Sequence, residues 1–207
     1  MTGIWAIILA AGESKRMGSP KMLLPWMGRT IIEQVVENVL SSEVSGAVVV
    51  LGASADEVKR VTSGYRVVHC FNEDYRNGML SSVQCGFSAL PGSCTAVVVM
   101  PGDQPMIGAG EIDRVIAARI ESGKGIVMPA YRGKRGHPLL IGSSYMEEVM
   151  TLPDREGLRA LAARHPRDVF EAATEDSSVL RDIDTREDYL NELNIRDKRW
   201  KRRSDSN

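Results

Sequence analysis

The sequence predicts an α/β fold of three layers for this 207-residue chain, with a mostly parallel sheet, one antiparallel strand and helices on both faces. Three observations carry that prediction. Strand-like and helix-like runs alternate along the chain, the order that βαβ units produce. Strands such as Val97-Val98-Val99-Met100 are continuously apolar, which suits parallel strands covered on both sides. A bend bounded by glycines, Gly133–Gly136, separates two strand-like runs and implies a hairpin, hence one antiparallel strand.

Each element follows from its residues. The first strand is expected at Ile4–Leu9, an apolar run that stops abruptly at Ala10-Ala11-Gly12. Ile31, Ile32, Val35, Val36, Val39 and Leu40 form one stripe at helical spacing and predict a helix over Thr30–Leu40. Strands follow at Ala47–Leu51 and Arg66–Cys70, with a helix at Ala55–Val61 between them. Helices at Leu80–Leu90 and Ala109–Ile120 flank a strand at Ala96–Met100, and a further strand lies at Gly125–Pro129. Beyond the bend come a strand at Pro138–Ile141, helices at Ser144–Met150 and Arg155–Arg164, a strand at Asp168–Ala172 and a helix at Arg186–Leu193. The alternation gives a doubly wound, Rossmann-like arrangement. No repeat or linker divides residues 1–195, which read as one domain. Residues 196–207 form a basic tail, with five cations around Trp200, expected to be frayed and solvated.

Composition removes several function classes. The formal net charge of −1 gives no global attraction to nucleic acid or to an anionic membrane. No apolar run approaches the ~20 residues that span a bilayer, and the Met-Thr-Gly-Ile-Trp start lacks the basic region of a secretory signal. Cys70, Cys85 and Cys94 are odd in number and lack Cys-x-x-Cys spacing, so they are expected to be reduced thiols, not a disulfide frame or zinc site. The expectation is a cytoplasmic protein with no membrane and no nucleic-acid partner.

The turn after the first strand is the most informative segment. Small residues at Ala10, Ala11 and Gly12 let backbone amides approach an anion closely. Arg16 adds a fork of donors and Lys21 a mobile point charge, a pairing suited to phosphate oxygens. Five residues separate Gly12 from Gly18, so this is not the Walker loop, and no Gly-x-Gly-x-x-Gly follows any strand-like run. Pro101-Gly102-Asp103-Gln104-Pro105 reaches the same sheet edge, where ligands of open α/β sheets gather. Asp103 there suits Mg²⁺, a hard cation taking one or two carboxylates plus phosphate oxygens and water, or it begins a turn. Asp184, before a helical run, reads by itself as an N-cap. Asp182 shares its side of an extended segment, so the two are not separated. Gly78 permits close backbone approach, and Ser82 lies one turn into the next helix, either facing a ligand or satisfying local backbone. His137 stands before Pro138 and is pushed toward an extended conformation. Arg159 by itself suits a surface ion pair. His69 and His165 have no supporting pattern and read as structural.

The run Leu-Ala-Ala-Gly-Glu-Ser-Lys-Arg-Met-Gly-Ser-Pro-Lys-Met-Leu-Leu-Pro, from Leu9 to Pro25, resembles the signature of the nucleotidyltransferases related to molybdenum cofactor biosynthesis. The resemblance extends from Leu9 to about Tyr189. It implies a nucleotidyltransferase version of the fold, a metal site on Asp103 and Asp184 holding Mg²⁺, with Mn²⁺ as the alternative ion, and catalytic roles for Arg16 and Lys21. It further implies that Ala10, Ala11, Gly12, Arg16, Lys21, Gly78 and Ser82 bind nucleotide, and that His137 and Arg159 position the acceptor. Ala11, the segment Lys21–Trp26 and Gly136-His137-Pro138 resemble the cytidylyl branch. The implied reaction joins CMP from CTP to the terminal phosphate of molybdopterin, and a molybdenum hydroxylase is the implied partner. Three other readings stand beside it: a sugar- or sugar-alcohol-phosphate nucleotidyltransferase, a molybdopterin-carrying accessory protein, and a nucleic-acid module acting through the tail.

Overall fold

Successive residues of an extended strand point to opposite faces, so an apolar strand divides its side chains between two cores. The computed structural model, which describes residues 3–204, shows that division in the inner strands of its sheet. β1 (Ile4–Ala10) leads to a small ribbon, β2 (Pro25–Trp26) and β3 (Arg29–Thr30), then α1 (Ile31–Leu40). The alternation continues with β4 (Gly46–Leu51), α2 (Ala55–Thr62), β5 (Val68–Phe71), α3 (Met79–Ser88), β6 (Ala96–Pro101) and α4 (Ala109–Ser122). β7 (Ile126–Tyr131), β8 (Lys134–Arg135) and β9 (Leu139–Gly142) precede α5 (Met146–Thr151), α6 (Arg159–Arg164), β10 (Val169–Ala173) and α7 (Arg186–Ser204).

The main sheet has the order β10-β7-β9-β6-β1-β4-β5, with β8 paired to β7. β9 runs antiparallel to both neighbours, β6 and β7, and the other pairs along this path are parallel. The expected α/β class, with a mostly parallel sheet and one antiparallel strand in its path, is what forms. β8 is the return arm of a hairpin whose two-residue turn, Arg132-Gly133, has positive φ at both positions, as a twist-matched turn requires.

Ile4, Ala6 and Ile8 of β1 join α1, α2 and α4 on one face, while Ile7 and Leu9 join α3, α5 and α6 on the other. Val98 and Met100 of β6 take the first face, Val97 and Val99 the second. Burying each of these Ile, Leu, Val and Met side chains contributes about 1.5–3 kcal/mol. α1 is held at its start by a capping box: the Glu33 N–H donates to Thr30 Oγ1, and the Glu33 carboxylate accepts from the Thr30 N–H at 2.7 Å.

Two differences from expectation have physical causes. The helix expected over Arg155–Arg164 begins only at Arg159, because Gly157 adopts φ +65°, a left-handed conformation that interrupts a right-handed helix. The β2–β3 ribbon was not expected; it closes on Met27-Gly28, again with positive φ at both turn residues. The last helix continues past Leu193 to Ser204, into the basic segment. The end of that segment, residues 205–207, lies outside the described residues. No helix among the described residues is long and apolar enough to cross a membrane.

Candidate active site

Lys21 occupies the centre of the site. Its N–H donates to Ser14 Oγ at 3.1 Å, and the neighbouring Met22 is buried in the core, so the far end of the exposed first loop is anchored. From there Lys21 Nζ donates to Asp103 Oδ2 at 2.5 Å and to Asp184 Oδ1 at 2.9 Å. Arg16, on the exposed part of the loop, donates to Asp184 Oδ2 at 2.8 Å. Four residues from three segments far apart in sequence therefore meet beyond the carboxyl ends of β1 and β6.

The backbone explains why the two aspartates converge. Gly102 N–H donates to Leu9 O at 2.9 Å, and a Cβ at Gly102 would lie 2.7 Å from that same oxygen. Only glycine lets the Asp103 turn lie this close to the end of β1. Asp103 O in turn accepts the Ile183 N–H at 3.2 Å, which joins the two acid-bearing segments directly. Ile183 is fully buried with Trp26 and Ile31 in a small core under the ribbon. The residue capping α7 is Thr185: its Oγ1 accepts the Asp188 N–H at 3.2 Å, and the Asp188 carboxylate accepts the Thr185 N–H at 2.8 Å. That leaves the Asp184 carboxylate for the site.

Burial alone would lower the Lys21 pKa, but Asp103 and Asp184 outweigh it and hold the ammonium above its ordinary value. Burial acts on Asp184 in the opposite sense and is outweighed by Lys21 and Arg16, so its pKa lies below the ordinary carboxylate value. Asp182 is pushed up, first by burial, then by the Asp184 and Asp103 charges. The two acids left open by sequence thus differ: Asp184 faces the cations, and Asp182 is the carboxyl that this crowd of negative charge disfavours ionising.

Two carboxylates on a shared cation, at a sheet edge open to solvent, fit a hard divalent ion. No group of three or more His, Cys, Asp or Glu among the described residues is placed to hold one unaided. The remaining ligands would be phosphate oxygens and water, the habit of Mg²⁺.

Two cavities meet here. The smaller, about 290 Å³, is lined by Ala11, Gly12, Lys21, Gly78, Ser82 and Asp103. The larger, about 470 Å³, holds His137 and Arg159 together with Arg135 and Arg155. Leu9, Met79 and Pro101 line both. Ala10 lies in the core of the opposite sheet face and lines neither cavity. Arg16 also lines neither and joins the site through Asp184. Burial lowers the His137 pKa, with Asp103 pulling the other way. Its backbone N–H donates to Val179 O at 2.9 Å. Sequence reasoning missed Asn72, which is buried and donates to Ser81 Oγ and Ser82 Oγ at 3.0 Å each. It also missed Arg135 and Arg155, for which no pattern gave a signal.

Residues 6–169 match the family model described as MobA-like NTP transferase domain. The chain belongs to this family. Among relatives of this MobA-like protein, molybdenum cofactor cytidylyltransferase of Escherichia coli (strain K12) is 29% identical over 191 residues, 92% of this chain and 95% of that one. Nicotine blue oxidoreductase of Paenarthrobacter nicotinovorans is 32% identical over 191 residues, 88% of this chain and 92% of the relative. A solved structure of a nucleotidyl transferase from Methanothermobacter superposes with a TM-score of 0.79 at 27% identity, covering 94% of this chain and 96% of that one. The family match ends before Asp184, so the second acid enters the MobA-like site from outside the matched residues.

Proposed function

We propose that the protein transfers CMP from CTP to the terminal phosphate of molybdopterin and releases pyrophosphate. The observation that carries this reading is the convergence of Asp103, Asp184, Lys21 and Arg16, with Lys21 and Asp103 lining the smaller of two adjoining cavities. A cytidylyltransferase relative aligned over most of both chains supports the choice of nucleotide and acceptor. Asp103 and Asp184 would hold Mg²⁺ or Mn²⁺, which when bound neutralises charge on triphosphate oxygens.

An acceptor phosphate oxygen forms a bond to the α-phosphorus while the bond from that phosphorus to the bridging oxygen of pyrophosphate breaks. The acceptor monoester has a second pKa of ~6, so it is largely ionised near neutrality and needs no general base. Gly12 and Gly78 let the nucleotide approach the backbone closely. Lys21 and Arg16 exchange their carboxylate partners for phosphate oxygens and stabilise charge gathering on the leaving group. His137 and Arg159 orient the acceptor in the larger cavity. Work of this kind is positioning and electrostatics.

Asp103→Asn tests the reading. Transfer is expected to fall by about 100-fold or more, the scale of lost transition-state charge stabilisation, with the fold retained. Transfer at the wild-type rate would remove the metal assignment. The oxidoreductase relative motivates the competing reading, a redox reaction in the same cavities. A redox activity that survives Asp103→Asn, with no pyrophosphate released by the wild type, would favour it.

A further inference from the structure

We propose that Glu192 is a positioning residue that, through Arg181, fixes the place of Asp184 in the site; the inference rests on the metal reading above. Glu192 lies inside α7 and is 5% exposed. Arg181 stands five residues before the start of α7, and its Nη1 donates to both Glu192 oxygens, at 2.6 and 2.7 Å. The segment between them, residues 182–185, is then fastened at three points. Arg181 holds its beginning to the body of the helix. Ile183 holds its middle, by burial against Trp26 and Ile31 and by the backbone bond to Asp103 O. The Thr185–Asp188 box holds its end.

Asp184 is the one acid of this segment that meets Lys21 and Arg16; its carboxylate is held by those cations, while its backbone N–H donates to Asp188 Oδ2 at 3.3 Å. Both cations must leave it when phosphate arrives, so its location then depends on the three fastenings. A buried ion pair is a poor device for stability, since apolar residues of similar volume often serve as well or better. It is a better device for register, because Arg181 Nη1 is held by both oxygens of a carboxylate that is itself fixed inside α7. The side-chain hydrogen bonds of Arg181 and Glu192 run to each other and not to Lys21, Arg16, Asp103 or Asp184, so both are positioning residues.

The test measures Mn²⁺ affinity of the full-length, nucleotide-free protein by the electron paramagnetic resonance of free Mn²⁺, beside the thermal midpoint. Glu192→Gln is expected to weaken Mn²⁺ binding by about tenfold or more, the usual cost of removing a partner that orients a metal ligand. The double variant Arg181→Met with Glu192→Leu is expected to fold as stably as wild type and to show the same weakening. Val36→Ala, a core truncation in α1, is expected to lower the midpoint and leave Mn²⁺ affinity within about twofold, which separates position from stability. Asp184→Asn sets the full loss. Wild-type affinity in both Glu192→Gln and the double variant, with Asp184→Asn impaired, overturns the positioning role alone. Wild-type affinity in Asp184→Asn overturns the metal assignment and the positioning role together.

Discussion

Lys21 and the three aspartates around it make opposite demands on charge. Without a metal ion, the Lys21 ammonium sits on both carboxylates that would receive one. On the proposed reaction, Lys21→Met is therefore expected to strengthen Mn²⁺ binding in the absence of nucleotide while cutting transfer by about 100-fold, because a charge that would stabilise the leaving pyrophosphate is gone. Weaker Mn²⁺ binding in that variant would contradict the shared-cation geometry. pH separates Asp184 from Asp182. The lowered pKa of Asp184 contributes stability that is present above its unfolded value and lost as pH falls through the folded one. The raised pKa of Asp182 works the other way: stability falls as pH rises from the unfolded value, 3.8, through the folded one. Asp182→Asn is thus expected to raise the thermal midpoint at pH 7, with the gain vanishing below about pH 4, near the carboxylate reference value. A lower midpoint at pH 7 would show that Asp182 has a stabilising partner.

At the scale of elements, the site is a set of loops held by networks that motifs do not display. Asn72, just past β5, ties the first turn of α3 through Ser81 and Ser82, and its Oδ1 accepts the Asp74 N–H at 3.0 Å. Asn72→Ala leaves two buried hydroxyls short of a donor and frees the 74–78 turn. The expected cost is about 1–3 kcal/mol of stability, read by denaturant unfolding, together with a raised nucleotide KM at a kcat closer to wild type. An unchanged KM would contradict a nucleotide-binding role for the α3 start. The strands were legible because continuous apolar runs permit few other readings, and α1 because six apolar residues share a stripe. The β2–β3 ribbon was not, since two-residue strands carry no periodicity. Gly157 was visible in sequence, but its left-handed φ was not, so the start of α6 moved by four residues, from 155 to 159.

Across the whole molecule, the topology does what no local pattern can. β1 and β6 are neighbours in the sheet, so the loop after Ala10 and the turn carrying Asp103 open at one edge. α7 then returns the C-terminal segment to the same place, under the ribbon. Lys21, Asp103 and Asp184 could each be singled out from sequence, and the fold brings them within hydrogen-bonding distance. Ala10 could be singled out as easily, yet the alternation of β1 turns it into the core. Setting Asp184 apart from Asp182 rests on its contacts with Lys21 and Arg16, a three-dimensional fact. The division of the site into two cavities with one shared wall is likewise a property of the assembled sheet and helices, and it is what suggests two substrates meeting at one reacting centre. The measurement that tests this most directly is pyrophosphate release with Mg²⁺ and molybdopterin, comparing CTP, GTP, ATP and UTP. Release with CTP, and far less with the other three, is the predicted result. No release with any of the four, from protein that binds nucleotide, would contradict it.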